Sequence, residues 1–310
     1  MGMAALDPVL QTVLDAVPFQ LTTDGGPEAA RRRFRDLPRS PVHPDVETQD
    51  RAIDGPAGPI ALRIYRPPTE QSVLPVVVFL HGGGWTVGDL DTYDGQARMH
   101  AAGAGAVVVS VDYRLAPEHP YPAAVEDVWA ATRWVADNAD QIGADADRVA
   151  VAGDSAGGNL AAVTAQSARD AGIALRFQLL WYPSTTFDTS LPSFRENADA
   201  PILDLASCKG FSRWYVGDLD LSGPSGPPVT LVPARGDLTG LPPAYIAVAG
   251  HDPLRDDGVR YAELLTAAGV PVELHHAESL VHGYLGYAGI VPAATEATER
   301  GLEALRAALA

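Results

Sequence analysis

Cysteine and lysine are almost missing from this chain of 310 residues; Cys208 and Lys209, side by side, are the single example of each. One cysteine excludes an internal disulfide, which fits a reducing compartment such as the cytosol. No histidine or glycine loop lies near Cys208 in the sequence, so it reads as a structural or surface residue rather than a nucleophile. Positive charge is also scarce. With 22 Lys and Arg against 39 Asp and Glu, the net charge of −17 argues against nucleic acid or an anionic membrane surface as a partner. No apolar run approaches membrane-spanning length. The start, Met1-Gly2-Met3-Ala4-Ala5-Leu6-Asp7-Pro8, lacks a basic segment followed by an apolar core, so no secretory leader is expected there. Internal repeats and low-complexity tracts are absent too.

Glycine, by contrast, is abundant, and two glycine-rich loops each follow an apolar run. In Gly153-Asp154-Ser155-Ala156-Gly157-Gly158, Ala150 to Ala152 end a buried strand and Asn159 to Ala168 continue as a helix. Ser155 therefore falls on a sharp strand-to-helix turn, where the flanking glycines leave room for a strained backbone. The second loop, His81-Gly82-Gly83-Gly84-Trp85, follows Val76-Val77-Val78-Phe79-Leu80 and leaves backbone N–H groups uncovered by side chains. A developing oxyanion needs such donors. Neither loop completes G-x-G-x-x-G or ends in the Lys-Ser/Thr of a P-loop, which disfavours nucleotide binding. The pair reads as a nucleophile and an oxyanion hole, with the amide of Ala156 facing the same spot as Ser155.

Short apolar or β-branched runs at Ile60 to Arg66, Val76 to Leu80, Ala106 to Asp112, Arg148 to Ala152, Leu175 to Trp181, Ala244 to Ala249 and Val272 to His276 predict strands. Helical patterns cover Ala123 to Asn138, Ala156 to Arg169, Pro253 to Ala268 and Ala293 to Leu309. Alternation of this kind implies an α/β fold, a mostly parallel central sheet flanked by helices. Two segments break the rhythm. Residues 1–45 look like one or two amphipathic helices with an arginine cluster at Arg31, Arg32, Arg33 and Arg35. Residues 184–240 are rich in Pro, Gly and aromatics (Phe187, Phe194, Phe211, Trp214, Tyr215) and are too long for a simple crossover. Both are expected to form a helical cap over a catalytic domain of 46–183 and 241–310, with the aromatics packing inside it.

A nucleophilic serine needs a base, and the base an orienting acid; in this architecture they follow in the order Ser, Asp or Glu, His. Four histidines come after Ser155. His275 and His276 lie within a predicted strand and His251 directly precedes a candidate acid, whereas His282 sits just past the last strand, where a base reaches over the sheet edge. Asp252 follows the strand ending at Ala249 and the turn residue Gly250, again at a carboxyl end, where ligands of open α/β sheets collect. Asp256 and Asp257 read as first-turn helix acids balancing the macrodipole, and Asp154 as a hydrogen-bond acceptor that stabilises its loop.

His81 to Trp85, the run Asp112-Tyr113-Arg114-Leu115-Ala116-Pro117-Glu118-His119-Pro120-Tyr121-Pro122-Ala123-Ala124, the elbow from Gly153 to Gly158, Asp252-Pro253-Leu254-Arg255-Asp256-Asp257-Gly258 and His282-Gly283-Tyr284 together resemble the hormone-sensitive-lipase family of bacterial carboxylesterases, in its GDSAG branch. The likeness runs from about residue 50 to the end. It implies an α/β-hydrolase fold with a helical cap, ester hydrolysis without metal or other cofactor, a triad of Ser155, Asp252 and His282, and an oxyanion hole at the amides of Gly82, Gly83 and Ala156. It also implies cis peptide bonds at Ala116-Pro117 and Tyr121-Pro122. His251 stands where an aromatic is common, Ser279 where glycine is frequent and Tyr284 where phenylalanine is usual; none removes a catalytic group. The expected substrate is a small ester, with Trp85 beside the reacting carbonyl or bracing its loop, and with the cap limiting the acyl chain to short or medium length. A homodimer is compatible with these features and not required by them. Plant hormone receptors that resemble this family are non-catalytic but lack the histidine, and serine peptidases of this fold carry a large extra domain for which about 75 residues before the HGGG strand leave no room.

Overall fold

The computed structural model describes residues 4–221 and 226–310. Its strands are β1 (Glu47–Gly55), β2 (Gly58–Arg66), β3 (Leu74–Leu80), β4 (Val107–Asp112), β5 (Ala144–Asp154), β6 (Leu175–Trp181), β7 (Ala244–His251) and β8 (Val272–Val281). They join in the order β1-β2-β4-β3-β5-β6-β7-β8. β1, β2 and β4 pair antiparallel; from β4 through β8 every pairing is parallel. The inner strands are continuous apolar runs because both their faces are covered, and β3 is buried at every residue. β1 was not expected from the sequence. Its residues ETQDRAIDG are mostly exposed and only Ile53 is buried, so this edge strand carries little apolar alternation.

The helices are α1 (Pro8–Ala16), α2 (Pro27–Arg35), α3 (Asp94–Ala104), α4 (Ala123–Asn138), α5 (Ala156–Asp170), α6 (Pro192–Glu196), α7 (Leu205–Val216), α8 (Arg255–Ala267) and α9 (Pro292–Leu309). Alternate strand residues point to opposite faces. Val76, Val78, Val107, Val109, Val149 and Val151 meet α4, α5 and α8 in one cluster. Val77, Phe79, Val108, Ala150 and Ala152 meet α1, α3 and α9 in the other. α3 is the second element missing from the sequence expectations; its buried residues include Ala97, Ala101 and Ala104, side chains too small to make a strong apolar stripe. Both proline bonds expected to be cis, Ala116-Pro117 and Tyr121-Pro122, are cis.

The two segments outside the strand-helix rhythm approach each other above the sheet. Leu21 N–H donates to Ile202 O at 2.8 Å, and Leu21, Ala30, Phe194, Leu203 and Phe211 share a small apolar cluster with Val87 and Leu254. The first 45 residues divide, however. α2 joins this cluster, whereas α1 buries Leu10 and Leu14 against the sheet. Residues 1–3 and 222–225 of these segments lie outside the described residues.

Candidate active site

At the carboxyl end of β5 the chain must turn sharply into α5. Ser155, between them, has φ 55° and ψ −117°, a conformation that L-residues adopt rarely. Ser155 N–H donates to Trp181 O at 2.8 Å and Ser155 O accepts from Asn159 N–H at 3.0 Å, so neighbouring elements hold the turn. A Cβ at Gly157 would lie 1.9 Å from Leu80 O. Only glycine permits β3 to pass this close to the helix start.

Three side chains from distant parts of the sequence meet there. His282 Nε2 is 2.9 Å from Ser155 Oγ, and its Nδ1 is 2.7 Å from Asp252 Oδ2. With Asp252 ionised, Nδ1–H donates to the carboxylate and Nε2 is left to accept the serine proton. Asp252 is fully buried, and its Oδ1 accepts from Leu254 N–H at 2.8 Å, so both carboxylate oxygens are engaged. The Tyr182 ring lies 4.7 Å from that of His282, centroid to centroid, and limits its swing. His275 and His276 are held in β8, as expected, away from Ser155. Asn197, which no sequence signal marked, is buried and donates to Gly250 O at 3.3 Å and Asp252 O at 3.1 Å, tying the 184–240 segment to the turn that carries Asp252.

The glycine loop departs from expectation at one atom. Gly82 N–H donates to Asp154 Oδ1 at 2.8 Å, and a single N–H aimed at a carboxylate is not available to an oxyanion. The placement of Gly82 in the oxyanion hole therefore does not hold. Among the described residues no hydrogen bond engages the amides of Gly83, Gly84 or Ala156, and Gly84 and Ala156 line the same cavity as Ser155. Asp154 is the loop acceptor that the sequence suggests. Burial pushes its carboxyl up to about 6, against the stabilising Gly82 amide. His81 braces the loop from behind, stacked on Tyr113 at 4.2 Å and donating through Nδ1 to Gly82 O at 2.8 Å. Burial lowers its pKa to about 4, so the ring stays neutral.

Beside Ser155 opens a cavity of about 330 Å³ walled by Trp85, Phe187, Phe194, Phe211 and Leu254, among others. Trp85 both borders this cavity and packs against a neighbouring ring. It lines the cavity and is stacked flat on Tyr215, centroids 4.2 Å apart and planes 2° apart, with its carbonyl accepting from Ala116 N–H. Cys208, read from sequence as structural or surface, also lines the cavity, and burial pushes its thiol well up. Asp257 is a first-turn acid of α8, as expected, but it does more than face the helix end. It is fully buried and its Oδ1 accepts from Thr185 N–H, Thr185 Oγ–H and Thr186 N–H, fastening the start of the 184–240 segment to α8. Asp256 stays at the helix start, where it accepts from Ser193 N–H at 2.9 Å.

Residues 77–286 match the family described as alpha/beta hydrolase fold. The chain is 66% identical over 309 residues to Esterase LipI of Mycobacterium tuberculosis, covering 98% of this chain and 96% of that protein. Over 308 residues it is 58% identical to Carboxylesterase NlhH of the same species, with the same coverage of both. The crystal structure of DphMB1 superposes with a TM-score of 0.95 at 67% identity, over 98% of this chain and 99% of that one. Among the described residues no helix is long and apolar enough to cross a membrane.

Proposed function

The chain belongs to the α/β-hydrolase family, in its hormone-sensitive-lipase-like branch, and is a carboxylic ester hydrolase; from this premise we propose that it cleaves short to medium acyl esters through an acyl-enzyme on Ser155. The observation that carries this reading is His282, whose two ring nitrogens engage Ser155 and Asp252 at 2.9 and 2.7 Å in a buried setting.

Ser155 attacks the ester carbonyl as His282 takes its proton. Asp252 holds the imidazole in the tautomer that leaves Nε2 free and stabilises the imidazolium. The amides of Gly83, Gly84 and Ala156 receive the oxyanion, each worth roughly 3 kcal/mol to the transition state. The alcohol departs with the proton from His282, and water repeats the sequence to release the acid and regenerate Ser155. Every group the reaction needs is a side chain or amide of this chain, so it runs without metal or cofactor. The cap of residues 184–240, joined by α2, closes one wall of the cavity and sets the length of chain that fits. The substrates are small esters met in the cytosol. A non-catalytic receptor role is disfavoured because such relatives lack the histidine that here bridges Ser155 and Asp252. The test is stoichiometric labelling by a fluorophosphonate, lost in Ser155→Ala, together with kcat/KM across p-nitrophenyl esters of graded acyl length. Labelling elsewhere, or a preference for emulsified long-chain triglyceride, would overturn the proposal.

A further inference from the structure

The chain's one lysine lines the cavity that holds Ser155, and Arg213 lines it from one helical turn away. Lys209, Ser212, Arg213 and Val216 recur on α7 at i, i+3, i+4 and i+7, a single stripe, and all four border the cavity. This placement is informative because positive charge is scarce here and mostly engaged. Arg31, Arg114 and Arg255 each bridge two carboxylates and Arg63 meets three. Among the described residues no hydrogen bond, ion pair or aromatic ring engages the side chain of Lys209 or Arg213. Asp204, at the start of α7, is turned to Ser207 N–H at 2.7 Å. Among the described residues the one carboxylate bordering the cavity is Asp257, whose Oδ1 is occupied by Thr185 and Thr186 and whose Oδ2 is buried and makes no hydrogen bond to Lys209 or Arg213.

Two like charges one turn apart repel, and they do so beside a cavity whose apolar walls include Trp85, Phe187, Phe194 and Leu221. An anion between them removes that repulsion and gains two charge-assisted hydrogen bonds. Resting on the esterase reading above, we propose that Lys209 and Arg213 form an anion subsite and that the enzyme favours esters carrying a carboxylate on the half that lies beneath α7. The carboxylate is bound and not transformed; it orients the ester while Ser155 attacks the carbonyl.

Two matched pairs of substrates separate the halves of the ester. p-Nitrophenyl hydrogen glutarate against p-nitrophenyl pentanoate places the charge on the acyl side, and 4-acetoxybenzoate against 4-methylphenyl acetate places it on the alcohol side. Wild-type protein should favour the charged member of at least one pair by about tenfold or more in kcat/KM at low salt, with the margin shrinking as ionic strength rises. Lys209→Gln with Arg213→Gln should bring that ratio close to one, and Lys209→Glu should take it below one; both side chains are exposed, so the variants retain the fold. A second reading does not depend on turnover. In the Ser155→Ala background, calorimetric binding of p-nitrophenyl hydrogen glutarate or 4-acetoxybenzoate, whichever the ratios favour, should weaken about tenfold on the double substitution. Ratios at or below one in both pairs, or a preference untouched by the substitutions, would overturn the anion subsite while leaving the esterase assignment intact. Failure of that assignment would show instead as no hydrolysis of the pentanoate and no labelling of Ser155, and binding of both charged esters to the Ser155→Ala protein, with and without the double substitution, would then decide the subsite.

Discussion

The elbow end of the sheet and the cap facing it are held by different forces. At the elbow, directional bonds and backbone crowding set positions to tenths of an ångström: a 2.7 Å and a 2.9 Å hydrogen bond on one imidazole, and a glycine whose Cβ would meet Leu80 O at 1.9 Å. Across the cavity, the cap's two segments share an apolar cluster, among whose members are Leu21, Phe194, Leu203 and Phe211, and a backbone bond from Leu21 to Ile202. Apolar burial has no preferred direction, whereas a hydrogen bond does. On the proposed reading, chemistry is concentrated where geometry is rigid, and substrate choice where side chains can be exchanged without disturbing it.

The comparison is broken most directly at the elbow. Ser155→Ala should lower kcat by about 10⁶ with the fold unchanged, measured by steady-state hydrolysis and circular dichroism. Asp252→Asn should cost about 10⁴ in kcat, because the amide favours the wrong imidazole tautomer. A kcat near wild type in either variant would mean that another group is the nucleophile or the orienting acid. Asp154→Ala should lower kcat about 10²-fold by freeing the Gly82 amide and loosening the glycine loop, while Asp154→Asn keeps an oxygen for that amide and most of the rate. If Gly82 instead served the oxyanion, the alanine variant would not be slower than the asparagine one.

At the cap the effects should be smaller and graded with substrate. Phe211→Ala removes a buried wall that packs against the Gly84 backbone, where a Cβ would meet its ring at 2.6 Å. Expected are a loss of about 3 kcal/mol in stability and a rise in KM of about tenfold for hexanoate but little for acetate. An equal loss for all esters would show that the cap shapes the catalytic loop rather than the acyl pocket. The mildest test concerns pH. Burial raises Asp257 to about 6, above its unfolded value, so the native state holds its proton longer and the contribution of this group to stability falls as pH climbs from about 4 to about 6. Asp257→Asn keeps an acceptor for the Thr185 and Thr186 amides and cannot ionise; its melting temperature should decline less over that window, by an amount worth about 2–3 kcal/mol at its upper end. A parallel decline in both proteins would show that Asp257 does not titrate there.

Much of the elbow was legible in the sequence because its signals are local. Glycines on either side of Ser155, an apolar run before it and a helix pattern after it specify one kind of turn, and His282 stood out because β8 absorbs His275 and His276. β1 escaped notice because eight of its nine residues are not buried, and α3 because alanine makes a weak apolar stripe. Asn197 carries no sequence mark at all; its role exists only because its amide reaches the carbonyls of Gly250 and Asp252, more than 50 residues away.

The sequence by itself determined the strand-helix alternation and the strained serine turn, and it singled out Ser155, Asp252 and His282 as the groups of the proposed triad, since periodicity and glycine spacing act through near neighbours. Tertiary structure alone decided which loop amides are free, that Asp257 at the start of α8 is buried and holds Thr185 and Thr186, that α1 covers the sheet while α2 packs with the 184–240 segment, and that Lys209 and Arg213 line the cavity. The physical reason is donor and acceptor occupancy. Gly82 is lost to the oxyanion by a carboxylate 72 residues further along the chain, and Asp257 is captured by threonine groups 71 and 72 residues before it.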